Sequence, residues 1–280
     1  MSKIKLVTDS SVGLTQAEIE KYDITIVPLN VMIDGQTYVE REEITNDEFV
    51  AKMEASDELP KTSQPPIGKF VDAFDRLGAD GSEVFCINMM ESLSGTVHAA
   101  EQAATMTETK VTVLDSDTTD RCLGYQVLEA AKAIENGATV EELITLCKDV
   151  QKRSKIYLGI DNVKNLVSGG RVSRFAGMLS GVLNIKPMLY VHDGVIDIPA
   201  KVRGTKGMHK LWKDIIAEMQ AGPKVKMIGI SHVDAGSEME WLKAQLHQAF
   251  PEIEILVRTT VPVIATHTGE GANCLLYYTE

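Results

Sequence analysis

The sequence predicts an α/β protein built from two α/β domains, at residues 1–155 and 156–280. In the first half, short apolar runs alternate with stretches whose apolar residues recur at helical spacing. This alternation is typical of a largely parallel sheet. Near Tyr157 the pattern changes, because a hairpin signal at Asp193-Gly194 and several closely spaced strand-like runs appear. The C-terminal domain is therefore expected to contain a mixed sheet.

Capping boxes indicate where helices of the first domain begin. In each box a threonine is followed three residues later by glutamate, and such boxes start at Thr15, Thr45 and Thr139. An alanine-rich helix is expected to follow Thr96. The apolar runs of this domain predict strands at 4–8, 24–33, 83–88 and 110–114.

The second domain is predicted to be richer in strands. Strand-like runs occur at 156–160, 185–191, 195–200, 224–230, 252–257, 261–266 and 274–279. Helices are expected at 175–182, at about 205–220, and from a capping box at Ser237 to about residue 250. The segment Thr266 to Gly271 would then connect the last two strands.

Composition excludes several classes of function. The 280-residue chain has 28 basic and 40 acidic residues, and its net charge of −12 argues against a nucleic-acid partner and against more than transient membrane contact. The N-terminus lacks a signal-peptide core, and the four cysteines are scattered, as in a reduced cytoplasmic protein. No Walker A sequence, H-E-x-x-H motif or cluster of cysteines and histidines occurs, so we expect no cofactor and no metal.

Hydroxyl side chains stand at several predicted element ends. Thr62 and Ser63 precede two prolines and an amphipathic helix, so they are interpreted either as helix caps or as part of an anion site. Three predicted strands end in serines: Ser10 and Ser11, Ser92 and Ser94, and Ser116. Because ligands bind beyond the carboxyl ends of parallel strands, these serines form either separate caps or a common polar pocket.

A basic segment interrupts this acidic chain. Residues 164–206 contain seven basic and two acidic residues, which gives a local charge of +5. The segment is either a docking face for an anionic partner or an ordinary solvated face. Arg171 follows a double glycine and Arg203 precedes a glycine, so we expect both on exposed turns and assign both to partner docking.

Five motifs in this order resemble the DegV family, the fatty-acid-binding subunits of bacterial fatty acid kinase. They are Thr62-Ser63-Gln64-Pro65, Leu93-Ser94-Gly95-Thr96, the 166–173 segment containing Gly169-Gly170-Arg171, Asn184-Ile185-Lys186-Pro187 and His267-Thr268-Gly269. The resemblance covers essentially the whole chain. Two stretches depart from the family pattern, namely Gly269-Glu270-Gly271 and the charged segment 117–122.

The resemblance implies a non-catalytic lipid carrier with two α/β domains. A long-chain fatty acid would lie between and within the domains, with its carboxylate held by Thr62, Ser94 and His267. Ser63, Gly95, Thr96 and Thr266 would be neighbours of that site, and a protonated His267 would add positive charge. A separate ATP-dependent kinase would phosphorylate the carboxylate. The acyl-phosphate would then pass to an acyltransferase of phospholipid synthesis.

The sequence is also compatible with two other functions. Ser94 as nucleophile and His267 as base would make a serine hydrolase, although Ser92 stands where a G-x-S-x-G motif needs its first glycine. A sugar- or phosphate-binding protein would instead use the Gly169-Gly170-Arg171 turn.

Overall fold

The structure, a computed structural model, describes residues 3–171 and 185–280. Within these residues the chain forms thirteen strands and ten helices. The strands are β1 (Ile4–Asp9), β2 (Thr25–Val27), β3 (Asn30–Ile33), β4 (Gln36–Val39), β5 (Lys61–Ser63), β6 (Glu83–Asn88), β7 (Val111–Asp115), β8 (Ser154–Gly159), β9 (Ile185–His192), β10 (Val195–Arg203), β11 (Val225–His232), β12 (Ile255–Thr259) and β13 (Asn273–Thr279). The helices are α1 (Gln16–Lys21), α2 (Asn46–Ala55), α3 (Ile67–Gly78), α4 (Thr96–Ala104), α5 (Asp120–Glu135), α6 (Val140–Arg153), α7 (Val163–Ser168), α8 (Gly204–Ala221), α9 (Gly236–Ala249) and α10 (Pro262–Thr268).

The predicted parallel layer is confirmed. Its strands pair in the order β2-β1-β6-β7, and all three pairings are parallel. Helices cover both faces because successive residues of a strand point in opposite directions. Val7 packs with Phe74 of α3 on one face, and Leu6 packs with Leu123 of α5 on the other.

The predicted mixed sheet is confirmed as well. Its strands pair in the order β10-β9-β8-β13-β11-β12, with the β11–β12 pair parallel and the others antiparallel. Trp212 of α8 and Leu242 of α9 pack against one face. On the opposite face Tyr125 of α5 packs against Leu276, and its hydroxyl donates to the Leu276 carbonyl at 3.1 Å. α5 therefore contacts both sheets.

A small antiparallel sheet, β4-β3-β5, completes the frame of the site. Val31 of β3 packs in one cluster with Phe49 of α2 and Ala265 of α10. This packing brings α10, from the end of the chain, beside β5, from the first quarter. The division into domains at 1–155 and 156–280 stays a prediction. In the described part of the chain, no helix is both long and apolar enough to cross a membrane.

The helix starts at Thr15, Thr45 and Thr139 are confirmed, because each threonine forms the reciprocal bonds of a capping box. The box at Ser237 was wrong, since α9 begins at Gly236 with Ala235 as its N-cap. The helix predicted at 175–182 lies outside the described residues, as do Val172, Ser173 and Asn184 of the family motifs.

Two predictions were wrong at elements that carry the site. Thr62 and Ser63 do not cap a helix but lie in β5, where Thr62 pairs with Val31, and α3 starts after Pro66. The paired prolines explain this, because a residue before proline is disfavoured in the helical region. Residues 261–266, predicted as a strand, lie in or next to α10. Pro262 occupies the first turn of that helix, where its missing N–H has no partner to lose.

Candidate functional site

A cavity lies between the mixed sheet, β5 and α10. Its empty space, including the part open to solvent, is about 970 Å³. Most lining side chains are apolar, and they include Ile156, Leu158, Leu166, Leu189 and Val191. An alkyl chain would therefore meet a surface of its own polarity over most of the cavity.

Thr62 and His267 form a hydrogen-bonded pair in the wall of this cavity. The Thr62 Oγ1 atom lies 3.0 Å from His267 Nε2, although the residues are 205 positions apart in sequence. β5 positions the threonine and the C-terminal turn of α10 positions the histidine. Ser63 and Gln64 also line the cavity and are exposed, so this end of the cavity opens to solvent.

His267 is neutral at physiological pH, so it does not add the positive charge that a protonated imidazole would supply. Burial, together with the smaller effect of the positive charge of Arg171, lowers its pKa to about 4. Its Nδ1 atom is buried and has no hydrogen-bond partner among the described residues. The tautomer with its proton on Nε2 fits best, because it leaves a lone pair, and not an N–H, without a partner.

Gly169 packs directly against the His267 ring. A Cβ atom added to Gly169 would lie 2.3 Å from His267 Nδ1, so no other residue fits there without moving the ring. Asn165 of α7 also holds α7 against α10 at this point, since its Nδ2 atom donates to the carbonyl of Thr266, the residue before His267, at 3.0 Å. The motif around Gly169 and Gly170 therefore positions the histidine.

Ser94 lines the same cavity and is oriented by Thr96. Their hydroxyl oxygens lie 2.8 Å apart, and Thr96 is fully buried at the start of α4. A Cβ atom on Gly95 would lie 2.2 Å from Gln64 Oε1, so a glycine at position 95 leaves the space that the Gln64 side chain occupies. Gly95 and Thr96 thus shape the surroundings of Ser94 and do not line the cavity themselves.

The remaining predicted neighbours are placed differently. Thr266 does not line the cavity, because its hydroxyl donates to the Pro262 carbonyl within α10 at 2.9 Å. The prediction that the serines at the strand ends form a common polar pocket was wrong. Ser10 bonds with Glu40, and Ser116 donates to the Thr118 carbonyl at 3.1 Å. Of that set only Ser94 lines the cavity.

The two arginines assigned to docking occupy different places. Arg171 is exposed, as expected, but it also lines the cavity. Its Nη1 atom donates to the Gly169 carbonyl at 2.8 Å and its Nε atom to the Leu93 carbonyl at 3.3 Å. Arg203 is exposed at the end of β10 and does not line the cavity. The sequence signal for Arg171 was its double glycine, which indicated an exposed turn for docking or, in the alternative, a sugar- or phosphate-binding turn.

The geometry gives no support to a serine hydrolase. The Ser94 hydroxyl is bonded to Thr96, and His267 Nε2 is bonded to Thr62. A catalytic histidine also needs a group that orients its second nitrogen. Among the described residues no such group contacts His267 Nδ1.

Comparison with known proteins agrees with this geometry. A family model described as "Uncharacterised protein, DegV family" matches residues 3–280. A DegV domain-containing protein of Streptococcus pneumoniae is 41% identical over 276 residues, which cover 99% of this chain and 98% of the relative.

Two solved structures are similar over the full length of both chains. One is DegV, a fatty acid binding protein from Bacillus subtilis, with a TM-score of 0.90 at 28% identity and 100% coverage of each chain. The other is a fatty acid binding DegV family protein from Streptococcus agalactiae, with a TM-score of 0.89 at 28% identity and the same coverage of 100%. This chain belongs to the DegV family.

Proposed function

We propose that the protein binds a long-chain fatty acid in the cavity and presents its carboxyl group to a separate ATP-dependent fatty acid kinase. The observation that carries the proposal is an apolar cavity whose open end holds the hydrogen-bonded pair of Thr62 and His267. The fatty acid binding described for the Bacillus subtilis and Streptococcus agalactiae proteins supports it.

The energetics favour an acyl chain as the ligand. Each buried CH₂ group contributes about 0.8 kcal/mol, so a long-chain acid gains roughly 10 kcal/mol before the cost of binding. Burying the carboxyl group opposes this gain by several kcal/mol unless donors or charges compensate. The donors therefore decide where the head group lies.

We assign the carboxyl contacts to the hydroxyls of Thr62 and Ser94. His267 orients Thr62 through a hydrogen bond. Its Nε2–H donates to the Thr62 Oγ1 atom, so the Thr62 O–H remains available to donate to the ligand. Arg171 supplies the positive charge that a neutral His267 does not, because it lines the same cavity and its charge acts on the imidazole. Ser63 borders this end of the cavity.

The opening at Ser63 and Gln64 gives a partner access to the carboxyl end. There the kinase would transfer the γ-phosphoryl group of ATP to a carboxylate oxygen, and the acyl-phosphate would pass to an acyltransferase of phospholipid synthesis. Exposed Arg203 would contribute to docking through electrostatic attraction. In this role the protein is a cytoplasmic carrier without cofactor or catalytic residues of its own.

A head-group series tests the proposal. Delipidated protein is titrated with stearic acid, its methyl ester and stearyl alcohol. The acid should bind about tenfold or more tightly than the ester, because only the acid offers a carboxylate to the hydroxyls and Arg171. Equal affinities, or no binding of the acid, would contradict it. A fatty acid kinase and ATP are then added, and hydroxylamine traps any acyl-phosphate that forms. This second assay tests whether the kinase phosphorylates the bound fatty acid.

A further inference from the structure

A second polar area lies inside the otherwise apolar cavity. Five of the twelve buried polar atoms that lack a hydrogen-bond partner within residues 3–171 and 185–280 belong to side chains that line this cavity. One is His267 Nδ1. The others are Thr119 Oγ1, Asp120 Oδ1, Ser231 Oγ and His232 Nδ1. His232 directly follows Ser231 on β11, so its side chain points to the opposite face of the sheet. Buried polar atoms without a hydrogen bond are rare in folded proteins, so the three that remain, at Thr119, Asp120 and Ser231, need an explanation.

The mixed sheet places Ser231 in a row with apolar lining residues. Leu189 pairs with Leu158, Leu158 with Cys274, and Cys274 with Ser231, on four neighbouring strands. Paired residues point to the same face, and strands lie about 4.8 Å apart, so the row spans about 14 Å. All four side chains line the cavity. The next residue of the row is Arg258 of β12.

Thr119 and Asp120 close this area from the start of α5. Thr260 Oγ1, just before α10, donates to Asp120 Oδ2 at 3.0 Å. Asp120 Oδ1 lies 3.7 Å from Arg258 Nη1, beyond hydrogen-bond range, and neither atom has another hydrogen-bond partner in the described part of the chain. His267 stands near the other end of α10, about 7.5 Å along the helix axis from Pro262, so the polar area and the Thr62–His267 pair lie towards opposite ends of this helix.

An unsubstituted alkyl chain would leave the hydroxyls of Ser231 and Thr119 without a hydrogen bond, and Asp120 Oδ1 with only its 3.7 Å ion pair to Arg258. The side chains of Ser231, Thr119 and Asp120 have relative exposures of 2%, 8% and 3%, so bulk water does not solvate them. Burial of hydroxyl and carboxylate oxygens against CH₂ groups is unfavourable. An oxygen atom is needed there, either on the ligand or in an ordered water molecule.

We propose that Ser231, Thr119 and Asp120 form a second subsite that binds a hydroxyl group on the acyl chain, so that the preferred ligand is a hydroxylated long-chain fatty acid. This inference rests on the proposed function, because it assumes that a fatty acid occupies the cavity. A hydroxyl fits the subsite because it can donate to Asp120 Oδ1 and accept from Ser231 or Thr119. A keto group can only accept, and it serves as a control ligand.

The experiment compares stearic acid with hydroxystearic acids whose hydroxyl lies at different carbons along the chain, and with the matching ketostearic acids. Delipidated wild-type protein should bind one hydroxyl isomer about tenfold more tightly than stearic acid, since that isomer pairs groups that are otherwise unsatisfied. The matching keto acid should bind less than about threefold more tightly than stearic acid, which is half of the tenfold gain on a logarithmic scale.

Variants locate the effect. Ser231→Ala and Thr119→Val each delete one hydroxyl, and Thr119 makes no capping bond to α5 in the described structure that its loss would break. Each variant should lower the ratio of hydroxystearic to stearic acid affinity about fivefold or more. The matched control is Thr8→Val. Thr8 is also buried, and its Oγ1 atom has no partner in the described part of the chain, but it does not line the cavity. This control should leave the ratio unchanged.

The outcomes separate this inference from the proposed function. Failure of wild-type protein to bind stearic acid or any hydroxystearic acid would overturn both. Binding of stearic acid with no preferred hydroxyl isomer would overturn the subsite alone, and so would a preference that both variants retain.

Discussion

Replacement of Gly169 by alanine should disable the proposed carboxyl site while it leaves the fold intact. The new Cβ would lie 2.3 Å from His267 Nδ1, about 1.1 Å short of the 3.4 Å at which ordinary contacts begin. The ring cannot absorb that shift and also keep its 3.0 Å hydrogen bond to Thr62. Retreat from Thr62 breaks the bond, and movement towards Thr62 creates a clash. Loss of a partly buried hydrogen bond costs about 1–3 kcal/mol, or roughly 5- to 150-fold in Kd.

The assay is titration of delipidated protein with a long-chain fatty acid. Gly68→Ala is the matched control, because a Cβ there would have no atom within 4 Å and Gly68 lies in the first turn of α3. This control should bind like wild type and be equally or slightly more stable. If Gly169→Ala binds as tightly as Gly68→Ala, the His267–Thr62 pair does not hold the head group.

Three further predictions concern Ser94, the arginines and Glu40. Ser94→Ala should weaken fatty-acid binding by about 1–3 kcal/mol; wild-type affinity would remove Ser94 from the site. Arg203→Glu should slow phosphorylation of the bound fatty acid by the kinase, with a smaller effect at high salt, and should leave fatty-acid binding intact. Arg171→Glu should slow phosphorylation and also weaken fatty-acid binding, because Arg171 lines the cavity. If the two variants behave identically, this distinction between the arginines is wrong. Burial raises the pKa of Glu40 from 4.5 to about 7, so the native state holds a proton that the unfolded state has released. Stability should therefore fall by about 3 kcal/mol as pH rises from about 4.5 to 7. Glu40→Gln should remove most of that slope in denaturant unfolding measured across this range, and an unchanged slope would show that Glu40 is not its source.

Local signals in the sequence predicted the framework well. A capping box is complete within four residues, so Thr15, Thr45 and Thr139 could be identified without knowledge of the fold. The parallel and mixed sheets followed from the order of apolar runs, since parallel strands need a helical crossover and hairpins do not. The hairpin between β9 and β10 turns at Asp193-Gly194, as its residues indicated.

The errors concern elements whose conformation depends on distant partners. Thr62 lies in a strand because Val31 pairs with it, and nothing between them in sequence encodes that pairing. β-branched residues made 261–266 resemble a strand, yet the segment is helical and packs on α2 and the small sheet. Arg171 was assigned to a docking face because charge counting cannot distinguish an exposed arginine from one that also borders a cavity.

The candidate site was predictable only through family resemblance. Motifs identified Thr62, Ser94 and His267, and all three line one cavity. Their division of roles was not predictable, because the burial that keeps His267 neutral arises from tertiary packing. Asn165 and the polar area at Ser231 carry no sequence signal that separates them from ordinary helix and strand residues.

The most direct test of fatty-acid binding is the identity of the molecule that the protein carries after purification. The protein, purified from bacteria without added lipid, is extracted with organic solvent, and the extract is analysed by mass spectrometry against the protein concentration. We expect the extract to contain long-chain fatty acid in about one-to-one ratio with the protein. Protein that yields no fatty acid, and that takes up none when stearic acid is added after delipidation, would contradict it.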